Sequence, residues 1–287
     1  MRIEIRPPRK SGEYRYIEDI QRDAWRANDI DITPTHVCVA TYLSGGCVYL
    51  AFDNGKPIGF VLGFLGLKNG RKFLHSHQLG VLRSYQNKNV GFLLKLKQRE
   101  FAVRHGIDLI RWTFDPLQSK NAYFNFNKLG VICREYIIDL YGEIRDELNR
   151  GVPSDRFYVE WHIDSQRVIS RLRGERPPRY EDLGDSIPII NSIARKGRHP
   201  RIESVDLELN DDFLLVEIPH NYVEIKKTNP SLGLEWRLRT REIFTRYLEN
   251  GYIVVDVISN KDKNRYFFVL SKKEQKTILS TNWWELL

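Results

Sequence analysis

The sequence predicts an α/β (α+β) fold in which helices flank a mixed sheet. The chain has 287 residues, of which 41% are hydrophobic and 12% are aromatic, enough to bury a sizeable core. Strand-like and helix-like patterns alternate up to about residue 163. The pair Asn54-Gly55 lies between two apolar runs, which is a strong hairpin signal.

Hydrophobic periodicity and turn residues define the elements of the first part. The apolar spacing of Ile17, Ile20 and Ala24 predicts the first helix, and Gly130 predicts the end of the last one. In order, the predicted elements are a strand IEIR (3–6), a helix over 14–27, strands CVYLAF (47–52), PIGFVLGFLGL (57–67) and FLHSHQLGVL (73–82), a helix ending near residue 104, a strand IDLIRWTF (107–114), a helix SKNAYFNFNK (119–128), and strands VICREYIIDL (131–140) and RFYVEWHI (156–163).

The periodic pattern weakens over residues 164–200, which are rich in Arg, Pro and Gly and predict a basic connector with a short element in 187–193. Residues 201–287 again have the composition of a folded α+β unit. Their predicted elements are strands SVDLEL (204–209) and FLLVEIP (213–219), a helix over 233–250, and a closing hairpin of YIVVDVI (252–258) and RYFFVL (265–270).

The formal net charge of +8 suits an anionic partner, whether a nucleic acid, an acidic surface or a phosphate-bearing cofactor. No apolar run approaches the roughly 20 residues of a membrane span, and the N-terminus lacks the apolar core of a signal peptide. We therefore expect a cytoplasmic protein without a membrane partner.

The three cysteines, Cys38, Cys47 and Cys133, show no C-x-x-C spacing, which argues against both a disulfide framework and a zinc site. We expect no metal. Helix-turn-helix, RNP-type and zinc-finger patterns are missing from the sequence, so only the charge favours nucleic acid. A small-molecule partner is preferred, and a homo-oligomer is left open.

The stretch VLRSYQNKNVG, residues 81–91, leaves an apolar strand and enters a helix at once. A helix N-terminus offers unpaired backbone N–H groups and a partial positive charge, and together these can bind a phosphate. Asn87 and Asn89 tolerate the left-handed backbone that such a turn requires, while Lys88 and Arg83 add positive charge. The stretch therefore predicts either a phosphate cradle or an ordinary strand-to-helix turn.

This stretch resembles the acyl-CoA pyrophosphate loop of the GNAT superfamily of N-acyltransferases, V-x-P-x-Y-R-G-K-G-I-G. Val81, Tyr85, Lys88 and Gly91 match, and asparagines replace the two earlier glycines. The later NAYFNFNKLG (121–130) resembles the superfamily's N-x-x-A-x-x-L-Y-x-K-L-G segment. HSHQLGV (75–81) and GLEWRLRTREIF (233–244) are similar to a branch of uncharacterised predicted acetyltransferases.

The resemblance implies a GNAT-like mixed, mostly antiparallel sheet, splayed between two strands that hold acyl-CoA. Residues 1–163 would be the catalytic domain, and residues 201–287 a degenerate half-GNAT unit or an element on the acceptor side. The implied cofactor contacts are backbone amides at Leu79 and Val81 for the thioester, residues Gln86, Asn87, Lys88, Asn89, Val90 and Gly91 for the pyrophosphate, and Asn121 for the pantetheine arm.

Two proton-transfer roles have candidates. Where the family often has a proton-donating tyrosine, this chain has Phe126, so Tyr123 is the substitute candidate. The family's carboxylate base is matched by His75. Strict alternation would place His75, His77, Leu79 and Val81 on one face, so either imidazole is a candidate base. The alternative is that neighbouring groups satisfy both histidines structurally.

Four further charged residues carry weaker predictions. Asp155 and Arg156 are either a structural ion pair or a substrate anchor. Arg237 and Arg241, spaced i, i+4 on the late helix, are either solvated or bind a carboxylate of the acceptor. Asp115 in FDPL is interpreted as a turn residue and not as a catalytic one.

The sequence thus predicts a CoA-dependent N-acyltransferase that uses acetyl-CoA or another acyl-CoA, with succinyl as a further option. The acceptor would be a small amine or amino acid that attacks the thioester directly, since neither a G-x-S-x-G elbow nor a suitably placed cysteine suggests a nucleophile. The alternative is a GNAT-fold ligand-binding protein with weakened catalysis.

Overall fold

The computed structural model describes residues 2–26, 29–142, 151–183, 186–262 and 264–287. These residues divide into two compact units, one reaching Trp112 and the other beginning at Thr113. Each unit contains a mostly antiparallel sheet with flanking helices, which confirms the predicted α/β class. The division at residues 163 and 200 stays a prediction, because the two units are defined by compactness alone.

The first unit orders its strands β1-β2-β3-β4-β5, with three antiparallel ladders and a parallel ladder between β4 and β5. Short 3-10 turns lie at 11–14, 29–31 and 83–85. Its elements are β1 (Ile3–Arg6), α1 (Arg15–Trp25), α2 (Thr35–Leu43), β2 (Cys47–Asp53), β3 (Lys56–Lys68), β4 (Arg71–Val81), α3 (Val90–Arg104) and β5 (Leu109–Phe114), of which β5 continues past Trp112.

The helices α1 and α2 cover one face of this sheet. Ile17, Ile20 and Cys38 pack against Phe60 and Leu62 of β3, and all five side chains are buried. The helix α1 ends at Trp25, because Arg26 takes a left-handed φ of 51°. Its predicted last residue, Ala27, lies outside the described residues.

The predicted turn between β2 and β3 is confirmed by the backbone. Asn54 and Gly55 have φ values of 48° and 82°, the pair of positive values that a tight hairpin turn needs. The helix α2 was not predicted from the sequence, because its stretch THVCVATYL is rich in β-branched residues.

The second unit orders its strands β7-β6-β11-β12-β10 in antiparallel ladders, while β8 and β9 form a separate hairpin. The predicted closing hairpin is confirmed as β11–β12. The elements are α4 (Ser119–Tyr123) continued by a π-helix (Phe124–Lys128), β6 (Ile132–Ile137), β7 (Arg156–His162), α5 (Gln166–Leu172), α6 (Tyr180–Leu183), β8 (Asn191–Ala194), β9 (Arg201–Val205), β10 (Phe213–Ile218), α7 (Tyr222–Thr228), α8 (Pro230–Glu249), β11 (Ile253–Ser259), β12 (Tyr266–Ser271) and α9 (Gln275–Ser280).

The stretch 164–200, predicted as a connector, contains the helix α5. Ser165 caps this helix by accepting a hydrogen bond from the Val168 amide. Arg167 and Arg171 are fully buried, and Arg171 pairs with the buried Asp256. The sequence predicted a connector here because buried arginines are rare unless they are paired, and the pairing aspartate lies 85 residues away.

Two other boundaries differ from the prediction. The strand predicted at 204–209 is β9, which ends at Val205. The helix α8 begins at Pro230, three residues before its predicted start, where Asn229 accepts a hydrogen bond from the Leu232 amide. None of the helices in the described ranges combines the length and apolar character of a membrane-spanning helix.

Candidate active site

The turn after β4 has the backbone that its asparagines suggested. Asn87 and Asn89 take left-handed φ values of 61° and 62°, a region that asparagine enters more readily than most residues with a side chain. Both residues are exposed, as is Lys88 between them. The asparagines thus supply the conformation for which the GNAT loop uses glycine.

Helix α3 begins directly at this turn and leaves its first amides open. Its first intrahelical bond runs from the Leu93 amide to the Asn89 carbonyl, at 3.0 Å. The amides of Val90, Gly91 and Phe92 therefore precede the helical ladder, and they have no hydrogen-bond acceptor in the part of the chain that the structure describes. The Asn89 side chain does not cap the helix. These amides can bind an anion.

Side chains around the turn add positive charge. Lys88 Nζ lies 5.1 Å from the centre of the Tyr85 ring, whose hydroxyl donates to Asp53 Oδ2 at 3.3 Å. Gln86 Nε2 donates to the Val81 carbonyl at 3.2 Å, which ties the turn to the end of β4. Arg83, the other predicted cation, pairs with an aspartate of α1 at 3.7 Å.

The ladder between β4 and β5 is short. Within the described residues of the first unit it pairs Leu74 with Ile110 and His75 with Arg111. The later residues of β4, from Ser76 to its end, therefore have an edge that β5 does not cover in this unit. Such an edge offers main-chain hydrogen bonds to an extended ligand.

A β-bulge interrupts β4 at His77. In the ladder with β3, Leu62 pairs with Gln78 and Gly63 pairs with Ser76. His77 is therefore an extra residue on β4 without its own partner on β3. A bulge shifts the alternation of side chains by one position.

The prediction that one face of β4 carries His75, His77, Leu79 and Val81 is wrong. The bulge separates the two histidines from Leu79 and Val81. Leu79 and Val81 face α3, since a Cβ placed on Gly91 would lie 3.4 and 4.0 Å from their side chains. The two histidine rings instead lie beside each other, with centres 6.2 Å apart. An odd number of inserted residues inverts the alternation on which that prediction depended.

The two histidines lie opposite the α3 face. Ser76, the neighbour of His75, contacts Lys95 of α3, so His75 faces away from α3. The His77 ring lies 5.1 Å from the Phe64 ring of β3. Burial, followed by the adjacent His77 and Lys95, lowers the pKa of His75 to about 4. Although His77 is exposed at the surface, partial desolvation lowers its pKa as well. Neutral His75 is therefore a weaker base than an ordinary imidazole.

The sequence analysis missed Lys95, which lies on the buried face of α3 with only 3% of its surface exposed. Its Nζ donates to Ser76 Oγ at 2.8 Å and to Gln98 Oε1 at 3.0 Å, and it lies 3.5 Å from the centre of the Trp112 ring. Burial lowers the pKa of this amine well below its ordinary value. The sequence does contain a sign of this buried amine. Polar residues occupy positions 95 and 98, which lie on the apolar face of α3 that begins at Val90.

Two predicted residues on α4 lie in the second unit. Tyr123 is half-buried, with its ring centre 6.1 Å from that of Tyr266, and burial raises the pKa of its hydroxyl. Asn121 is exposed, and its Oδ1 accepts a hydrogen bond from Asn125 at 3.4 Å. Their roles as proton donor and pantetheine ligand stay predictions.

Phe126, at the position of the family's usual tyrosine, is a core residue. It is fully buried in the π-helix after α4, and its ring centre lies 5.6 Å from that of Phe268 and 6.4 Å from that of Phe157. A phenyl ring cannot donate a proton. A π-helical segment is uncommon and occurs often at functional sites.

The arginines predicted to be solvated or to bind an acceptor carboxylate are paired with aspartates of the second unit. Arg237 is buried and donates to Asp115 Oδ2 at 2.7 Å. Arg241 binds both carboxylate oxygens of Asp155, at 2.8 and 2.9 Å, and Tyr136 donates to the same carboxylate at 2.7 Å. The solvated alternative is wrong for Arg237. Binding of an acceptor by either arginine stays a prediction, and it would require displacing an aspartate.

The predicted Asp155–Arg156 pair has another geometry. Arg156 Nη1 donates to the main-chain oxygen of Asp155 at 2.9 Å, while the Asp155 carboxylate pairs with Arg241. In the described ranges no cluster of three or more His, Cys, Asp or Glu residues could hold a metal ion. The expectation that the protein needs no metal stays a prediction.

Comparison with known proteins gives one family match. Residues 14–130 match the model of the acetyltransferase (GNAT) family. These residues include the turn after β4, both histidines and α4. Among proteins with curated descriptions, none has a significantly matching sequence.

Solved structures that match part of this chain include several acetyltransferases. A GNAT-family acetyltransferase from Streptococcus pneumoniae is 15% identical, with a TM-score of 0.44 over 55% of this chain and 98% of that chain. The ribosomal-protein-S18-alanine N-acetyltransferase from Escherichia coli is 12% identical, with a TM-score of 0.44 over 55% of this chain and 92% of that chain. The PaiA N-acetyltransferase from Thermoplasma acidophilum, in complex with coenzyme A, is 18% identical, with a TM-score of 0.41 over 56% of this chain and 99% of that chain.

Proposed function

We propose that this chain, whose residues 14–130 match the model of the acetyltransferase (GNAT) family, is a member of that superfamily and transfers an acyl group from acyl-CoA to the nitrogen of a small amine or amino acid. Acyl transfer from acyl-CoA is the general activity of this family. The nitrogen acceptor and the choice of acetyl or succinyl are the finer parts of the proposal.

The observation that carries the proposal is the open N-terminus of α3. Three amides precede the helical ladder at Val90, Gly91 and Phe92, and Asn87 and Asn89 hold the left-handed turn that exposes them. Amides so arranged suit a pyrophosphate because several donors and the helix dipole act on one anion. The exposed Lys88 adds a charge that needs no fixed geometry.

The uncovered edge of β4 supports the proposal that the chain binds the pantetheine arm and the thioester of acyl-CoA. An extended pantetheine arm carries amide groups that can pair with the main chain from Ser76 to Val81, as an added strand would. Main-chain amides at Leu79 and Val81 are the predicted donors to the thioester oxygen, on which negative charge develops as the acceptor attacks.

The reaction needs two proton movements. A neutral amine attacks the thioester carbon, the C–S bond breaks, the nitrogen loses a proton and the leaving thiolate gains one. His75 is neutral above about pH 4 and can accept a proton, although its low pKa makes it a weak base. The raised pKa of Tyr123 keeps its hydroxyl protonated, as a proton donor requires.

Isothermal titration with CoA tests the cradle. Asn89→Glu places a carboxylate at the cradle and should weaken CoA binding at least tenfold. Asn69→Glu is the matched control, because Asn69 is also exposed and has a left-handed φ of 52°, but it lies in the β3–β4 turn. Equal affinities for the two variants would contradict the proposed pyrophosphate site.

Release of free CoA thiol in the presence of amines distinguishes the enzyme from a ligand-binding GNAT fold. An acyltransferase should release thiol only when acyl-CoA and a suitable amine are both present. His75→Ala should then lower turnover while leaving CoA affinity nearly unchanged, and unchanged turnover would exclude His75 as the base. Tight CoA binding without thiol release for any amine or amino acid tested would favour the binding protein.

A further inference from the structure

Two buried hydrogen-bond donors lie on α3 under the sheet of the first unit. Lys95 and Gln98 expose 3% and 0% of their surface, and Lys95 Nζ donates to Gln98 Oε1 at 3.0 Å. Gln98 Nε2 is buried, and the group it interacts with is the Cys47 thiol of β2, which is only a weak hydrogen-bond acceptor. A buried amide donor that meets a weak acceptor keeps unused hydrogen-bonding capacity, so a stronger acceptor on a ligand would be favoured there.

These donors lie where β4 and β5 stop pairing. Lys95 Nζ donates to Ser76 Oγ, and Ser76 is the first residue of β4 beyond the ladder. The same Nζ lies 3.5 Å from the ring centre of Trp112, the first residue of β5 beyond the ladder. Lys95 therefore connects the two strands at the point from which their uncovered edges begin.

The open N-terminus of α3 and this amine lie on one helix. Val90 and Lys95 are five residues apart, a rise of about 7.5 Å along the helix. Along β4, Val81 and Ser76 are also five residues apart, or roughly 16 Å of strand. An acyl-CoA anchored at the α3 N-terminus and paired with the edge of β4 would run from Val81 towards Ser76. Its acyl end would then approach Lys95.

We propose that Lys95 and Gln98 form the floor of the acyl pocket and select acyl groups that end in a carboxylate, such as succinyl. The inference rests on the proposed function, because it assumes that acyl-CoA binds along β4. A terminal carboxylate has two oxygens, which can accept hydrogen bonds from Lys95 Nζ and from Gln98 Nε2. An acetyl group is too short to offer a second oxygen and leaves Gln98 Nε2 with the weak acceptor of the Cys47 thiol.

The buried amine adds a property that can be measured. Burial lowers the pKa of Lys95, and its titratable neighbours are Cys47 on β2 and His75 on β4. An arriving carboxylate raises the pKa of Lys95 and so favours the ammonium form. Binding of succinyl-CoA should therefore take up more protons than binding of CoA or acetyl-CoA does.

The test is isothermal titration with CoA, acetyl-CoA and succinyl-CoA in two buffers of different ionisation enthalpy. The native chain should bind succinyl-CoA at least tenfold more tightly than acetyl-CoA, with a larger uptake of protons. Lys95→Met should abolish both the preference and this difference in proton uptake while it leaves CoA affinity within about twofold. Lys97→Met is the control, because Lys97 bonds the exposed Glu100 and not Gln98.

The outcomes separate the two proposals. If CoA binds but succinyl-CoA and acetyl-CoA bind equally, or if Lys95→Met keeps the preference, the acyl-pocket assignment is overturned and the CoA site stands. If CoA itself fails to bind, the proposed function fails and the acyl pocket fails with it. A thermal melt of each variant confirms that the binding data refer to folded protein.

Discussion

The two units of this protein bury positive charge in different ways. In the second unit, Arg237 pairs with Asp115, and Arg171 pairs with Asp256, at positions with little or no exposed surface. In the first unit, the hydrogen bonds of Lys95 go to the neutral groups of Ser76 and Gln98. A buried arginine held by a carboxylate is a fixed structural element. A buried amine among neutral donors and acceptors can still change its charge when a ligand arrives.

The largest expected effect concerns the Arg237–Asp115 pair. Arg237→Met leaves Asp115 as a buried carboxylate without its main counter-ion, which should lower the free energy of unfolding by about 3–5 kcal/mol. Urea denaturation measures the loss. Arg239→Met is the control two residues along α8, where the side chain is exposed. A loss below about 1 kcal/mol for Arg237→Met would show that the pair is not a structural element.

The pH dependence of this pair has a defined sign. Burial alone would raise the pKa of Asp115, but Arg237 and Arg156 outweigh it and the net shift is downward. A carboxyl group with a lowered pKa stabilises the fold at pH values above its pKa in the unfolded chain, about 3.9. This stabilisation is lost as the pH falls through the pKa of the group in the folded protein. Arg237→Met should therefore lose part of its acid sensitivity along with its stability.

The second effect concerns Lys95 and has the opposite sign. Lys95→Met removes a buried amine whose desolvation costs free energy, but it also takes the donor from Ser76 and Gln98 at a cost of about 1 kcal/mol or more. We expect a small net gain in stability at pH 7. A depressed lysine pKa means that the unfolded chain binds more protons, so native stability rises with pH towards the unfolded value of about 10.4. Urea denaturation at pH 7 and pH 9 should show this rise in the native protein but not in the variant. A large loss of stability in Lys95→Met would mean that Lys95 has a structural role like that of Arg237.

His75 should have a smaller effect on the free energy of unfolding, and only at acid pH. Its folded pKa of about 4 lies below the unfolded value of about 6.5, so the unfolded chain binds more protons between these values. Stability should fall as the pH drops from 6.5 to 4, by at most about 1.4 kcal/mol per pH unit. His75→Gln should reduce this slope in thermal melts recorded at pH 7, 6, 5 and 4. An identical slope in the variant would show that His75 is not desolvated.

The sequence predicted most strands, because their period of two and the Asn54-Gly55 turn depend on local physics. It also indicated the left-handed asparagines of the loop. The bulge at His77 was not predictable, since one extra residue leaves no compositional trace. The buried ion pairs were equally hidden, because Arg237 and Asp115 are 122 residues apart in the chain. Sequence patterns report faces and turns, whereas long-range pairing decides which charges are buried.

The smallest expected effect sharpens the assignment of the asparagines. Asn89→Gly relieves a small backbone strain, because glycine takes a left-handed φ more easily than asparagine. It also raises the conformational entropy of the unfolded chain, so the free energy of unfolding should change by no more than about 0.5 kcal/mol. The same change at Asn69 should have the same small effect.

CoA affinity should separate the two variants, because only at position 89 does a missing side chain let a phosphate approach the α3 amides more closely. We expect CoA to bind several-fold more tightly to Asn89→Gly and equally well to Asn69→Gly. Weaker binding by Asn89→Gly would instead mean that the Asn89 amide side chain itself contacts the anion.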